Sequence, residues 1–125
     1  RINMAQNANE FFEEKVNSTF SPMDYLNESK QNEGKYFLVD VRNGPPHLRD
    51  KKIKGAYELP QAELENRYTE LPKDKTLVLY CWDVWCNTAA KSALFLIDKG
   101  YDVKELAGGI AAWEKMEFET EQVSQ

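Results

Sequence analysis

Two short apolar runs constrain the fold of this chain more than any other feature of its sequence. Residues 36–41 and Thr76–Tyr80 consist almost entirely of apolar side chains, and turn-forming residues bound each run. Strands that are buried on one face alternate apolar with polar residues, whereas an unbroken apolar run is typical of a strand buried on both faces. We therefore expect both runs to be strands inside a parallel sheet.

The remaining segments alternate between predicted helices and a third strand. An amphipathic helix is expected over residues 4–16, with Phe11, Phe12 and Val16 near helical spacing, and a short helix is expected after the N-cap Ser21. Further helices are expected at residues 61–68, 88–99 and 110–116, and the third strand at residues 101–106. This order predicts one α/β domain with a central parallel sheet flanked by helices on both faces.

The helix expected at residues 88–99 carries an apolar stripe. Its apolar residues recur at intervals of three and four along one side, which comprises Ala90, Ala93, Leu94 and Ile97. Gly100 follows as a natural C-cap. We expect this stripe to pack against the sheet.

Length, charge and residue usage exclude several functional classes. The chain has 125 residues and a net charge of −5, which suit one compact domain and disfavour nucleic acid as a partner. We expect neither a metal nor another cofactor, because two cysteines and one histidine offer too few ligands for structural zinc. No apolar run is long enough to span a bilayer, and the first residues lack the apolar segment of a secretory signal. We therefore expect no membrane partner and a cytoplasmic location.

Both cysteines lie in one stretch, directly after the second apolar run. Cys81 follows the predicted strand at its carboxyl end, where open α/β sheets bind ligands, and the next residues lead into a helix. The first turn of that helix offers unpaired N–H groups that would stabilise a nucleophilic thiolate. Cysteine is also often buried without a chemical role. A purely structural role in the core therefore stays an alternative for Cys81, and for Cys86 it is the favoured interpretation.

Several short motifs give the chain a family resemblance. They are Asp40-Val41-Arg42, the Ile-Lys-Gly-Ala of residues 53–56, Leu59-Pro60, the strand and loop at Cys81, Gly100-Tyr101, and residues 108–113. In this order the chain resembles single-domain rhodaneses of the sulfurtransferase superfamily. The resemblance covers residues 20–116, with residues 1–19 as a helical extension and residues 117–125 as an acidic tail that we expect to be solvated or frayed.

The resemblance implies an enzyme that transfers sulfur. Cys81 would attack a sulfane-sulfur donor and become a persulfide, which a thiol acceptor then discharges. The backbone N–H groups of the following loop would surround its sulfur, and the substrate-binding residues would be Trp82, Asp83, Val84, Trp85, Cys86 and Asn87. The resemblance also implies that Asp40 and Arg42 orient loops through ion pairs.

The two adjacent glycines Gly108-Gly109 are expected to form a tight turn beside this loop, where side chains would not fit.

The loop departs from the family pattern in ways that bear on the donor. Cys86 occupies the position of the usual arginine, and Asn87 that of the usual serine or threonine. Asp83 adds negative charge inside the loop, which would oppose an anionic donor. Trp82 and Trp85 make the rim apolar, so a polysulfide or a protein persulfide suits the site better than thiosulfate. The loop also lacks the arginine and the length that related phosphatases use to clamp phosphate.

Two further functions stay open at this stage. Cys86 could resolve a persulfide on Cys81 and leave a disulfide, which would make the pair a thiol-disulfide redox or sensor site. A disulfide needs Cα atoms within about 7 Å, and we expect a loop that encircles Cys81 to hold Cys86 slightly beyond that distance. The other alternative is a catalytically degenerate rhodanese-like binding module.

Overall fold

Helices and strands alternate along residues 4–123, the part of the chain that the computed structural model describes. The helices are α1 (Met4–Ser18), α2 (Pro22–Gln31), α3 (Gln61–Arg67), α4 (Thr88–Asp98) and α5 (Gly109–Lys115). The strands are β1 (Thr19–Phe20), β2 (Tyr36–Asp40), β3 (Lys51–Ile53), β4 (Tyr57–Glu58), β5 (Thr76–Tyr80), β6 (Val103–Leu106) and β7 (Thr120–Gln122). Residues 1–3 of the predicted extension and residues 124–125 of the predicted tail lie outside the described range.

Five strands form one parallel sheet in the order β1-β6-β5-β2-β4. The two apolar runs of the sequence are its inner strands: β2 pairs with β5 from Tyr36 opposite Thr76 to Asp40 opposite Tyr80. β6 lies on the other side of β5. The predicted α/β fold with a central parallel sheet is therefore confirmed, and the short strands β1, β3, β4 and β7 are additions that the sequence analysis missed.

Successive residues of β5 enter two separate cores on opposite faces of the sheet. Leu77 and Leu79 pack with residues of α3 and α4, and Cys81 continues the same alternation beyond the strand end. Val78 and Tyr80 face the other side, where α5 and β3 cover the sheet. The strand is buried along its whole length because both faces are covered.

The buried face of α4 differs from the predicted stripe. Leu94 is 71% exposed, Ile97 is exposed as well, and the residues that pack inward are Ala89, Ser92 and Leu96. Both sets repeat at intervals of three and four, so the helix is rotated by one residue from the expected orientation. The prediction is wrong for Ala90, Leu94 and Ile97, which are exposed, whereas Ala93 packs partly against the core. The small side chain of Ser92 fits under the closely packed helix in their place.

The end of the chain is structured as far as β7. Thr120–Gln122 pairs antiparallel with Lys51–Ile53, and Nε1 of Trp113 donates to the carbonyl of Glu119 at 2.7 Å. The expectation of a frayed tail is therefore wrong for these residues, because the strand that orders them lies far away in the sequence. The division into extension, domain and tail stays a prediction.

The first helix contacts the sheet at its β1 and β6 edge. Phe11, Phe12 and Val16 are exposed, so the large apolar side chains of the described part of this helix are not buried against the sheet. Among residues 4–123, no helix combines the length and the apolar character needed to cross a membrane.

Candidate active site

Cys81 lies at the carboxyl end of the central strand, one residue beyond β5. Its side chain is 3% exposed and belongs to the core that also contains Ala89 and Leu96 of α4. The carbonyl oxygen of Cys81 accepts a hydrogen bond from the N–H of Ile110 at 3.0 Å. Strand, helix α4 and helix α5 therefore fix this residue from three directions.

Gly109 allows α5 to approach the cysteine closely. A Cβ atom at this position would lie 2.5 Å from the carbonyl oxygen of Cys81, and the backbone has a φ of 63°, which favours glycine. The next two N–H groups bind the loop, since Ile110 donates to Cys81 and Ala111 donates to Trp82 at 3.0 Å. The predicted reason for the two adjacent glycines, a turn beside the loop with no room for a side chain, is confirmed.

Asp83 organises the loop between the strand and α4. Its carbonyl accepts from the N–H of Cys86 at 3.0 Å, and its Oδ1 accepts from the N–H of Val84 at 2.6 Å. Two of the N–H groups that the sequence analysis assigned to the sulfur cradle are thus used inside the loop. Within the described part of the chain, no protein acceptor binds the remaining loop N–H groups, those of Trp82, Asp83, Trp85 and Asn87. That loop N–H groups surround the sulfur of Cys81 stays a prediction, and these four N–H groups are the candidate donors.

Cys81 and Cys86 form a disulfide in this structure. Their Cα atoms are 6.4 Å apart, inside the range that a disulfide can bridge. The expectation that the loop holds Cys86 out of reach is wrong. The hydrogen bond from the N–H of Cys86 to Asp83 closes a tight turn, which bends the loop back toward the strand.

The two loop tryptophans occupy different environments. Trp82 is half-buried, donates from Nε1 to the carbonyl of Asn43 at 3.2 Å, and lies 4.6 Å from the guanidinium of Arg42. Trp85 is 71% exposed and Val84 is 82% exposed. Trp82 therefore fastens the loop to the neighbouring strand end, whereas the other two form an apolar tip. The remaining predicted site residue, Asn87, is exposed at the N-cap of α4.

A buried ion pair occupies the carboxyl end of β2, beside the cysteine. Nε of Arg42 donates to Asp40 at 2.9 Å and Nη2 at 2.7 Å, and both side chains are 2% exposed. The hydroxyl of Tyr80 donates to the same carboxylate at 2.8 Å and accepts from the N–H of Ile53 at 3.0 Å. Sequence reasoning predicted an ion pair but missed Tyr80, whose polar group within an apolar run was the available signal.

Burial and charge keep Tyr80 and Arg42 protonated. Burial raises the pKa of Tyr80, and the charge of Asp40 raises it further. Burial lowers the pKa of Arg42, but the hydrogen bonds and charge of Asp40 outweigh this and leave the pKa raised. The guanidinium therefore stays charged and committed to Asp40.

A cavity of about 380 Å³ opens on the outer side of the loop. Its charged lining comprises Arg42, Lys51, Asp50, Asp83 and Glu114, and Trp82 and Trp85 form part of its apolar wall. Because Arg42 is already paired, three carboxylates face a single uncommitted cation within this lining. Neither cysteine is among its lining residues, so this negative balance describes the surface beside the loop and not the surroundings of the sulfur.

The comparison with protein families agrees with this geometry. The rhodanese-like domain family matches residues 23–116. The chain belongs to the rhodanese-like family. A full-length protein from Lactobacillus plantarum is similar over 96% of this chain and all of its own, with 29% identity and a TM-score of 0.88.

Two relatives of this rhodanese-like chain carry functional names. A sulfurtransferase from Allochromatium vinosum is 35% identical over 82 residues, which cover 62% of this chain and 71% of the relative. An HTH-type transcriptional regulator, Rv0324, from Mycobacterium tuberculosis is 38% identical over 82 residues, or 64% of this chain. The chain spans only 35% of the length of that regulator. The family match and the relative named as a sulfurtransferase support a function of the sulfurtransferase type in general.

Proposed function

We propose that this rhodanese-like protein is a sulfurtransferase or sulfur carrier that forms a persulfide on Cys81 and passes the sulfane sulfur to a thiol acceptor. The observation that carries the proposal is the position of Cys81, at the carboxyl end of the central strand and at the start of a loop that leads into α4. The family match and the relative named as a sulfurtransferase support the same chemistry.

The proposed reaction has two nucleophilic steps. The Cys81 thiolate attacks the outer sulfur of the donor, and the S–S bond within the donor breaks as the remainder leaves as a thiolate or a shorter polysulfide. The thiolate of an acceptor then attacks the outer sulfur of the persulfide and releases Cys81 as a thiolate. Unpaired N–H groups of the loop and the first turn of α4 stabilise the anion in both steps.

The loop chemistry favours a donor without concentrated negative charge. Cys86 replaces the arginine that would bind an anionic donor, and Asp83, Asp50 and Glu114 add negative charge beside the loop. Val84 and Trp85 present an apolar tip to an approaching partner. A polysulfide or a protein persulfide suits these surroundings better than thiosulfate. The cytoplasmic location stays a prediction.

The test is sulfur loading of Cys86→Ser protein, in which Cys81 is the only thiol. Intact mass is measured after exposure of the reduced protein to polysulfide and, separately, to thiosulfate. We expect a gain of about 32 Da, one sulfur atom, that is larger with polysulfide and absent when Cys81 is also replaced by serine. Protein that gains no sulfur at Cys81 from either donor would refute the proposal and would favour a rhodanese-shaped binding module.

A further inference from the structure

We propose that Cys86 is the resolving nucleophile of this site, so that the protein reduces sulfane sulfur to hydrosulfide and is left with the Cys81–Cys86 disulfide. The inference rests on the proposed persulfide at Cys81 and adds a second route for its discharge, attack on Sγ of Cys81 by a thiol of the same loop. Its basis is the loop geometry: the turn at Asp83 brings the two Cα atoms to 6.4 Å, and the sulfurs are bonded.

The proposed step balances without an additional oxidant. The Cys86 thiolate attacks Sγ of Cys81 in the persulfide, the Cys81–Cys86 bond forms, and the bond to the outer sulfur breaks. The outer sulfur takes the electron pair and leaves as hydrosulfide. The two cysteines are oxidised to the disulfide, and the sulfane sulfur supplied by the donor is reduced.

Burial favours attack by this internal thiol over attack by an external one. Cys81 is 3% exposed, so an external thiol can reach the persulfide only from the open side of the loop. Cys86 is half-buried and packs against the core that contains Cys81, so its sulfur already lies within reach. An intramolecular thiol in this position acts at an effective concentration that a dissolved thiol does not reach.

The same arrangement defines how the site is regenerated. A dithiol of the thioredoxin class attacks the Cys86 sulfur, which is the more exposed of the two, and forms a mixed disulfide there. Cys81 leaves as a thiolate, where the unpaired N–H groups of the loop and the first turn of α4 stabilise it. The second thiol of the reductant then releases Cys86. The nucleophile is thus restored in its reactive form.

The experiment is a single turnover without oxygen. Fully reduced protein, freed of reductant, receives one equivalent of a small organic persulfide, and both intact mass and released hydrosulfide are measured against a protein-free blank. We expect wild-type protein to lose about 2 Da, two hydrogens, and to release about one equivalent of hydrosulfide. Cys86→Ser protein is expected to gain about 32 Da and to release no hydrosulfide above the blank.

Variants of Cys86 distinguish a failure of this inference from a failure of the proposed function on which it rests. Cys86→Ala protein should behave like Cys86→Ser, and thermal unfolding of all reduced proteins checks that each is folded. Wild-type protein that keeps the added sulfur and releases no more hydrosulfide than Cys86→Ser would overturn the role of Cys86 and leave sulfur transfer intact. If Cys86→Ser fails to take up sulfur at Cys81, the proposed function itself fails, and the resolving role falls with it.

Discussion

The carboxyl ends of β2 and β5 lie side by side in the sheet, yet a buried ion pair follows one strand and a partly exposed loop follows the other. Asp40 and Tyr80 are direct neighbours in register, so the two chain segments leave the sheet at the same level. After β2, a buried carboxylate is bound by Arg42 and by the Tyr80 hydroxyl. After β5, two cysteines enclose a loop whose tip, Val84 and Trp85, is exposed.

The two strand ends therefore differ in role at one edge of the sheet: the β2 end is structural, and the β5 loop carries the proposed chemistry. The charged groups of the β2 end satisfy each other, and Arg42 also donates to the carbonyl of Lys51, so they are not free to bind a ligand. The Tyr80 hydroxyl that donates to Asp40 is itself held by the N–H of Ile53. The base of the β5 loop is fixed by α5. Four of the loop N–H groups have no protein acceptor among residues 4–123, and the two cysteine sulfurs are bonded to each other. We infer that the ion pair supports the strand from which Cys81 projects and takes no direct part in sulfur chemistry.

The largest expected loss of stability comes from breaking the ion pair. Arg42→Leu leaves Asp40 buried without its cation, which should lower the free energy of unfolding by about 3–5 kcal/mol, measured by urea denaturation. The double variant Asp40→Leu with Arg42→Leu removes both charges and should recover part of that loss. A loss below about 1 kcal/mol for Arg42→Leu would show that the pair does not hold the strand end.

Gly109→Ala should cause the next largest loss of stability and should displace the backbone at Cys81. The new Cβ would lie 2.5 Å from the Cys81 carbonyl, and together with the φ of 63° this should cost about 2–4 kcal/mol. Gly55→Ala is the matched control, because Gly55 has a φ of 84° but nothing within 4 Å of the added Cβ.

Thermal or urea unfolding gives both stabilities. Sulfur loading, measured for this and the following variants in the Cys86→Ser background, reports on the loop. We expect Gly109→Ala to lose more stability than Gly55→Ala and to load sulfur more slowly per folded molecule. Equal losses for the two variants would mean that α5 does not constrain Cys81.

Tyr80→Phe should lower stability less. It removes the hydroxyl of β5 that donates to Asp40 of β2. It leaves Asp40 and the N–H of Ile53 each without one hydrogen bond, which should cost about 1–3 kcal/mol in urea denaturation. Sulfur loading per folded molecule should stay at the wild-type rate because Tyr80 faces away from Cys81. If Tyr80→Phe loads sulfur more slowly while its stability is unchanged, the network at the β2 end takes part in sulfur chemistry, which contradicts its purely structural role.

Trp85→Ala should change stability least. The side chain is 71% exposed, so the change in free energy of unfolding should stay within about 0.5 kcal/mol, while polysulfide loading slows severalfold. Leu94→Ala is the matched control, since Leu94 is equally exposed on α4, away from the loop. Equal loading rates for both variants would show that the apolar tip does not assist the donor.

Much of the fold and the location of the candidate site could be predicted from the sequence. The apolar runs predicted β2 and β5, and the position of Cys81 directly after the second run placed it at the edge where parallel strands end. The adjacent glycines indicated a close approach beside the loop, which Gly109 makes. These predictions rest on local periodicity and on backbone constraints, which neighbouring residues determine.

Other features depended on contacts between distant segments. The choice between two equally spaced stripes on α4 was decided by packing under the helix, where small Ser92 fits and Leu94 does not enter. β7 is ordered by pairing with β3, which lies far earlier in the chain.

The sequence by itself determined that the chain is an α/β protein with a cysteine at the end of its central strand, because apolar periodicity and residue order suffice for that. Only the tertiary structure decided that Cys86 lies within bonding distance of Cys81. The spacing of five residues permits both an open loop and a closed one. The turn at Asp83, between the strand and α4, selects the closed loop, because its hydrogen bond and the packing of Cys86 against the core act together.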